Sequence, residues 1–143
     1  MKLVDLNLLI YAADEESSRH EPAREWFEAT MSGVETVAFA WSALVGFLRL
    51  TTRSRSTRRA WSVEQALDVL DGWLAHPVTA VLHPTDRHAA VLRDLLGPLG
   101  SGGNLTSDAH LAALAIEHGA TLCSHDTDFS RFRGLDWLDP LAA

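Results

Sequence analysis

Short apolar runs separated by helix-length stretches recur along the chain, and this rhythm limits the fold more than any other feature. Lys2 to Asp5, Thr36 to Ala40, Val78 to Leu82, Thr121 to Ser124 and Leu135 to Leu138 are strand-sized. Between them, Asn7 to Ala13 turns helical, and His20 to Met31 places Ala23, Trp26, Phe27 and Met31 near helical spacing. Ser42 to Thr52 is apolar enough to be a largely buried helix, and Ser62 caps another that runs through Ala75, with Pro77 closing it. Further helices are expected from about Thr85 to Leu96 and from Ser107 to His118, the latter capped by Thr106 and stopped by Gly119. Strands joined through helices pair in parallel, because parallel neighbours need crossover connections. The expected fold class is therefore α/β, a mainly parallel central sheet flanked by helices, with ligands beyond the carboxyl ends of the strands.

The 143 residues, 47% hydrophobic, suit one domain spanning 1–143, and no repeat or low-complexity tract divides them. The one cysteine, Cys123, excludes an intramolecular disulfide and falls in a short apolar strand. No signal-peptide pattern and no run of 18 apolar residues is present, so a cytoplasmic protein without a membrane span is expected. The net charge of -7 argues against a phosphate-rich partner, but the distribution is uneven. Thr36 to Val63 contains no acid, whereas Arg49, Arg53, Arg55, Arg58 and Arg59 make it a basic patch.

The acids fall in telling places. Asp5 ends the first strand, and Asp126 lies just past the Thr121 to Ser124 strand, so parallel pairing of the two would bring both carboxylates to one sheet edge. Asp108 occupies the first turn of a helix whose Leu111, Ala112, Ala115 and Ile116 face the core, and Asp128 follows Asp126 by two residues. Such a cluster suits a hard cation, Mg²⁺ or Mn²⁺, which prefers carboxylate oxygens; no Cys or His pair has zinc spacing. A metal so held activates water and neutralises charge on a phosphate, which makes these acids candidate catalytic residues, with Asp5, Asp108 and Asp126 as candidate metal ligands. Each acid also has a plainer reading. Asp108 complements a helix dipole, Asp126 and Asp128 form an Asx-type turn, and only Asp5 is costly to bury without a partner.

At these residues the chain resembles the PIN-domain ribonucleases, specifically VapC-type toxins of toxin-antitoxin pairs. The resemblance rests on Val4-Asp-Leu-Asn-Leu-Leu-Ile-Tyr-Ala, the run Trp41 to Thr52, Asn104-Leu-Thr-Ser-Asp-Ala-His-Leu-Ala-Ala-Leu-Ala and Ser124-His-Asp-Thr-Asp-Phe-Ser-Arg-Phe. It implies a PIN-like fold, Mg²⁺ held chiefly by Asp5 and Asp108, with Asp126 and Asp128 completing the pocket, and Asn7 and Thr106 as supporting polar residues. It also implies endonucleolytic cleavage of RNA, a cognate VapB-type antitoxin that blocks the cleft, and a homodimer. One departure stands out. Many members carry a glutamate in the helix after the second strand, where this chain reads Ala43-Leu-Val-Gly46-Phe with no acid.

Arg49 and Arg53 are candidate phosphate contacts, since carboxylates alone repel RNA; a solvated face or an antitoxin contact is the competing expectation for the patch. Trp26 and Trp73 belong on amphipathic helices, leaving Trp41 or Trp61 as the tryptophans expected near ligand. His110 and His125 are given no catalytic role. Two functional classes follow: a metal-dependent endoribonuclease, or a catalytically weak or inactive PIN-like module that binds RNA or protein. An aspartate-nucleophile phosphatase fits worst, because position 7 is Asn where an Asp-x-Asp pair would be needed.

Overall fold

The computed structural model describes residues 1–54 and 59–142. Its centre is a five-stranded sheet in the order β3-β2-β1-β4-β5, formed by β1 (Lys2–Val4), β2 (Val37–Phe39), β3 (Thr79–Val81), β4 (Thr121–Cys123) and β5 (Trp137–Leu138). Every neighbouring pair is parallel, as strand-helix alternation requires. The period of two splits the strands between two cores. Leu3, Ala38 and Leu122 face one side, where α5 (His88–Leu96) and α6 (Leu105–His118) pack. Val4, Val37, Phe39 and Cys123 face the other, under α1 (Leu6–Ala13), α2 (His20–Met31), α3 (Trp41–Thr52) and α4 (Val63–Ala75).

The second core is the aromatic one. Phe27 and Met31 reach it from one stripe of α2, and Trp73 stacks on Phe39 with ring centroids 5.8 Å apart and lies 4.7 Å from Phe47. Burying side chains of this size contributes roughly 1.5–3 kcal/mol each. Ser62 caps α4 through a reciprocal pair: its hydroxyl accepts from Gln65 N at 3.1 Å, and its own N–H donates to Gln65 Oε1 at 2.9 Å. Cys123 is fully buried, and burial pushes its thiol up to about 12, which leaves it chemically quiet.

Two helix starts differ from the sequence expectation. Thr106 does not cap α6, which begins at Leu105 with Asn104 as an N-cap that makes no side-chain bond. Leu105 N donates to Gly102 O at 2.8 Å, closing the first turn before Thr106, and Leu105 packs against the core while Thr106 stays exposed. The α5 helix begins at His88 rather than Thr85, because Thr85 is engaged elsewhere. Both its N–H, at 2.9 Å, and its hydroxyl donate to Glu117 Oε1, while Glu117 Oε2 meets His88 Nδ1 and His88 Nε2 lies 2.9 Å from His110 Nδ1.

This network staples α5 to α6. The Glu117 side chain is shut off from solvent; burial pushes its carboxyl up, but the bonds from Thr85 and His88 outweigh burial and hold it below its ordinary value. A carboxyl depressed in the folded state adds stability that is present at neutral pH and lost as pH falls through its folded value. Glu117→Ala should therefore lower the unfolding free energy in urea by about 2 kcal/mol at pH 7, with the gap to wild type closing below about pH 4. A gap that stays constant with pH would deny the carboxylate this role.

The order of the strands also decides where a ligand fits. From β1 the chain builds outward through β2 to β3, then crosses back to place β4 on the other side of β1. Connections leaving β1 and β4 diverge, so a crevice opens at their carboxyl ends.

Candidate active site

The register pairs Val4 with Cys123, so β1 and β4 end level, and Asp5 N donates to Cys123 O at 2.9 Å across the join. Asp5 then leaves the strand with ψ 155 as the N-cap of α1, its Oδ1 accepting from Leu6 N at 2.7 Å. Its Oδ2 accepts from the Ser124 hydroxyl at 2.6 Å. Both carboxylate oxygens are thus pinned by β1, α1 and β4 together.

Ser124 is the hub of this corner. It is fully buried, and its Oγ also accepts from Asp126 N at 3.0 Å and from Asn7 Nδ2 at 3.3 Å. Having spent its one proton on Asp5, the hydroxyl can only accept from Asn7, which fixes the amide with Nδ2 toward Ser124. Asn7 Oδ1 is left buried and without a partner among the described residues. Trp137 Nε1 donates to Ser124 O at 3.0 Å and holds the same residue from β5. In the sequence, Ser124 carries one signal, a small hydroxyl ending an apolar strand two residues before an acid.

Asp126 does form the Asx-type turn, its Oδ1 accepting from Asp128 N at 2.9 Å to open a 3-10 turn over Thr127–Arg131. The turn also aims both side chains at the first turn of α6. Carboxylate oxygens of Asp108, Asp126 and Asp128 lie within 4.8 Å of one another. Burial, followed by the charges of Asp126, Asp5 and Asp128, holds the Asp108 carboxyl up to about 6. Burial likewise raises Asp5, opposed by its bonds from Ser124 and Leu6, with the Asp126 charge adding to the rise. Arg131 Nε reaches only to 3.6 Å from Asp128, and both are exposed, so the cluster keeps its excess negative charge. Like charges this close favour the bound form of a cation, and an all-carboxylate donor set fits a hard divalent ion.

Asp5 stands between two depressions. A cleft of about 340 Å³ between α3 and the start of α6 is lined by Asp5, Ser42, Gly46, Arg49, Ser107 and Asp108, among others. A second, of about 360 Å³, carries Asp5, Asn7 and Asp126. A Cβ at position 46 would come within 2.6 Å of Leu6 Cδ2, so any larger residue there would require the flexible end of the Leu6 side chain to move aside.

The other candidates scatter. Arg49 enters the cleft, but Arg53 is the exposed C-cap of α3 and lines no part of it, and Arg59 borders a separate depression with Trp61 and Gln65. Arg55 and Arg58 lie outside the described residues. Thr106 is exposed and its neighbour Ser107 lines the cleft instead. His110 is bonded to His88, and His125 Nδ1 faces Asp139 Oδ2 at 3.0 Å, so neither histidine is directed at the acids by these contacts.

Known proteins share this chain's family and fold. The profile of the PIN domain matches residues 2–135. Ribonuclease VapC37 of Mycobacterium tuberculosis is 44% identical over 142 residues, covering 99% of both chains. Ribonuclease VapC33 of the same species is 37% identical over 141 residues, again covering 99% of each. Among solved structures, VapBC2 of Rickettsia felis bound to a promoter DNA fragment superimposes with a TM-score of 0.71 at 19% identity, over 96% of each chain. VapBC-1 of nontypeable Haemophilus influenzae gives 0.70 at 17% identity, over 99% of this chain and 98% of the other. At such identities the structural likeness is one of fold.

Proposed function

The chain belongs to the PIN domain family, and from that membership we propose that it is a metal-dependent endoribonuclease, the toxin of a toxin-antitoxin pair. The observation that carries the reading is the convergence of Asp108, Asp126 and Asp128 beside a doubly anchored Asp5. Asp108, Asp126 and Asp128 would hold Mg²⁺ or Mn²⁺, with Asp5 completing the set. A divalent ion at this place supplies an activated water and takes up negative charge on a phosphate.

The chain's own residues do the rest. Asp5 is held by Leu6 and Ser124, so it need not reorganise when a ligand arrives. Asn7, tied to the same Ser124, keeps its Oδ1 as a buried acceptor with no partner among the described residues. No helix among the described residues is long and apolar enough to cross a membrane, and a cytoplasmic site of action is part of the proposal. So are a VapB-type antitoxin that blocks the cleft and a homodimeric toxin; the fold neighbours include VapBC assemblies.

Gly46, where no acid stands, motivates one rival: a PIN-like module that binds RNA without cutting. Incubating the purified chain with RNA separates the two. Fragments should appear with Mg²⁺ or Mn²⁺, vanish in EDTA and be absent for Asp5→Ala. RNA that is bound but left whole would favour the module, and cutting in EDTA would refute the metal-dependent reading.

A further inference from the structure

The outward face of α3 carries a feature that the acidic site does not use. Trp41, Val45 and Arg49 are four residues apart, so they lie in one row along the helix. Trp41 is 45% and Val45 56% exposed. Val45 and Arg49 both line the cleft that holds Asp5 and Asp108, and Trp41 continues the row beyond its rim. Arg49 makes no ion pair with any described residue, and it lines the α3 side of the cleft whose other side carries Asp108.

We propose that this row is the track by which an unpaired RNA strand enters the cleft, with Arg49 holding a phosphate and Trp41 stacking on a neighbouring base. The inference rests on the ribonuclease reading and adds to it two residues that contact the substrate. A cleft with carboxylates on one wall repels the phosphate it must receive, and a free guanidinium on the other wall supplies the compensating charge in bidentate form. An indole standing in solvent beside that charge offers what a base needs, a flat apolar surface. Only an unpaired strand can use it, because the bases of a duplex are already stacked on one another. Val45 between the two keeps the row apolar and lets the sugar-phosphate chain pass close to the helix.

The test titrates the full-length protein, in EDTA to hold back cleavage, with a short labelled RNA oligonucleotide without self-complementarity and with the same strand in a duplex. Trp41→Ala should weaken binding of the unpaired strand about tenfold or more, Trp41→Phe should restore most of it, and duplex binding should move less than about twofold. Arg49→Ala should lower the slope of log K against log salt by about 0.7 on the unpaired strand, and Arg49→Lys should keep it. Both side chains are exposed, so melting curves should match wild type and separate these effects from misfolding. Trp41→Ala that binds unpaired RNA as wild type does would overturn the track, as would loss of self-association in that variant with RNA binding intact, which would assign the row to a second copy. If wild type cuts RNA while the variants bind normally, the track alone fails. If wild type neither binds nor cuts RNA, the ribonuclease reading fails with it.

Discussion

Replacing Asp108 by Asn should abolish RNA cleavage and at the same time make the metal-free protein more stable. The loss follows from removing the carboxylate that faces both Asp126 and Asp128, and a reduction on the order of a thousandfold or more is expected for a ligand on which the nucleophile depends. The gain follows from electrostatics. Asp108 is held up to about 6 by burial and by three neighbouring acids, well above its unfolded value near 3.8. A carboxyl raised in this way costs nothing below the unfolded value, and its cost grows as pH rises through the folded one. For a half-buried group screened by solvent the cost at pH 7 is about 1 to 2 kcal/mol, so the metal-free Asn variant should melt about 3 to 6 °C higher. Wild type should lose about half of that deficit by pH 5 and the rest as pH falls below about 4, and the variant should not.

Metal reverses the order. Free Mg²⁺ at a hundred times its Kd would stabilise wild type by about 2.7 kcal/mol, and Asp108→Asn should show little of that gain. Differential scanning with and without Mg²⁺ reads both effects in one experiment. An Asn variant that melts lower than metal-free wild type would mean that Asp108 is a structural cap rather than part of a strained ligand set.

Ser124→Ala should be nearly as damaging, although Ser124 is not itself a proposed ligand. It removes the donor to Asp5 Oδ2 and the acceptor for both Asp126 N and Asn7 Nδ2. Leaving those groups unpaired at a fully buried position should cost about 2 kcal/mol of stability. The larger effect is on the site, because one hydroxyl fixes Asp5 against Asp126, and loss of such a support typically weakens metal binding or activity by about 10- to 100-fold. Mn²⁺ titration of the variant checks this. Unchanged Mn²⁺ affinity in a destabilised protein would reduce Ser124 to a packing residue.

What was legible in the chain was whatever local pattern decides. The parallel sheet follows from strand-helix alternation, and Asp5 and Asp126 were placed at one edge because each follows a strand that pairs with the other. Asp108 was legible from its helix turn, and the structure shows that the Asx turn at Asp126 and the acidic cluster are one arrangement, since the turn aims the side chain. Contacts between distant segments were not legible. Ser124 looks like any strand residue until β1 sets Asp5 beside it, 119 positions away in sequence. Thr85 reads as a helix start until Glu117, 32 residues on, takes its N–H and hydroxyl. Arg49 and Arg53 look equivalent in a basic run, yet α3 ends between them, so one lines the cleft and the other does not. Gly46 reads as a missing ligand in the sequence, and only the fold shows that the end of the Leu6 side chain, from α1, lies against it.

The central claim is that the acids around Asp108 cut RNA. Inducing wild type and Asp108→Ala in parallel in the same host and sequencing cellular RNA 5′ ends tests it most directly. Discrete new ends present only with wild type are the predicted result; identical end profiles from the two proteins would contradict it.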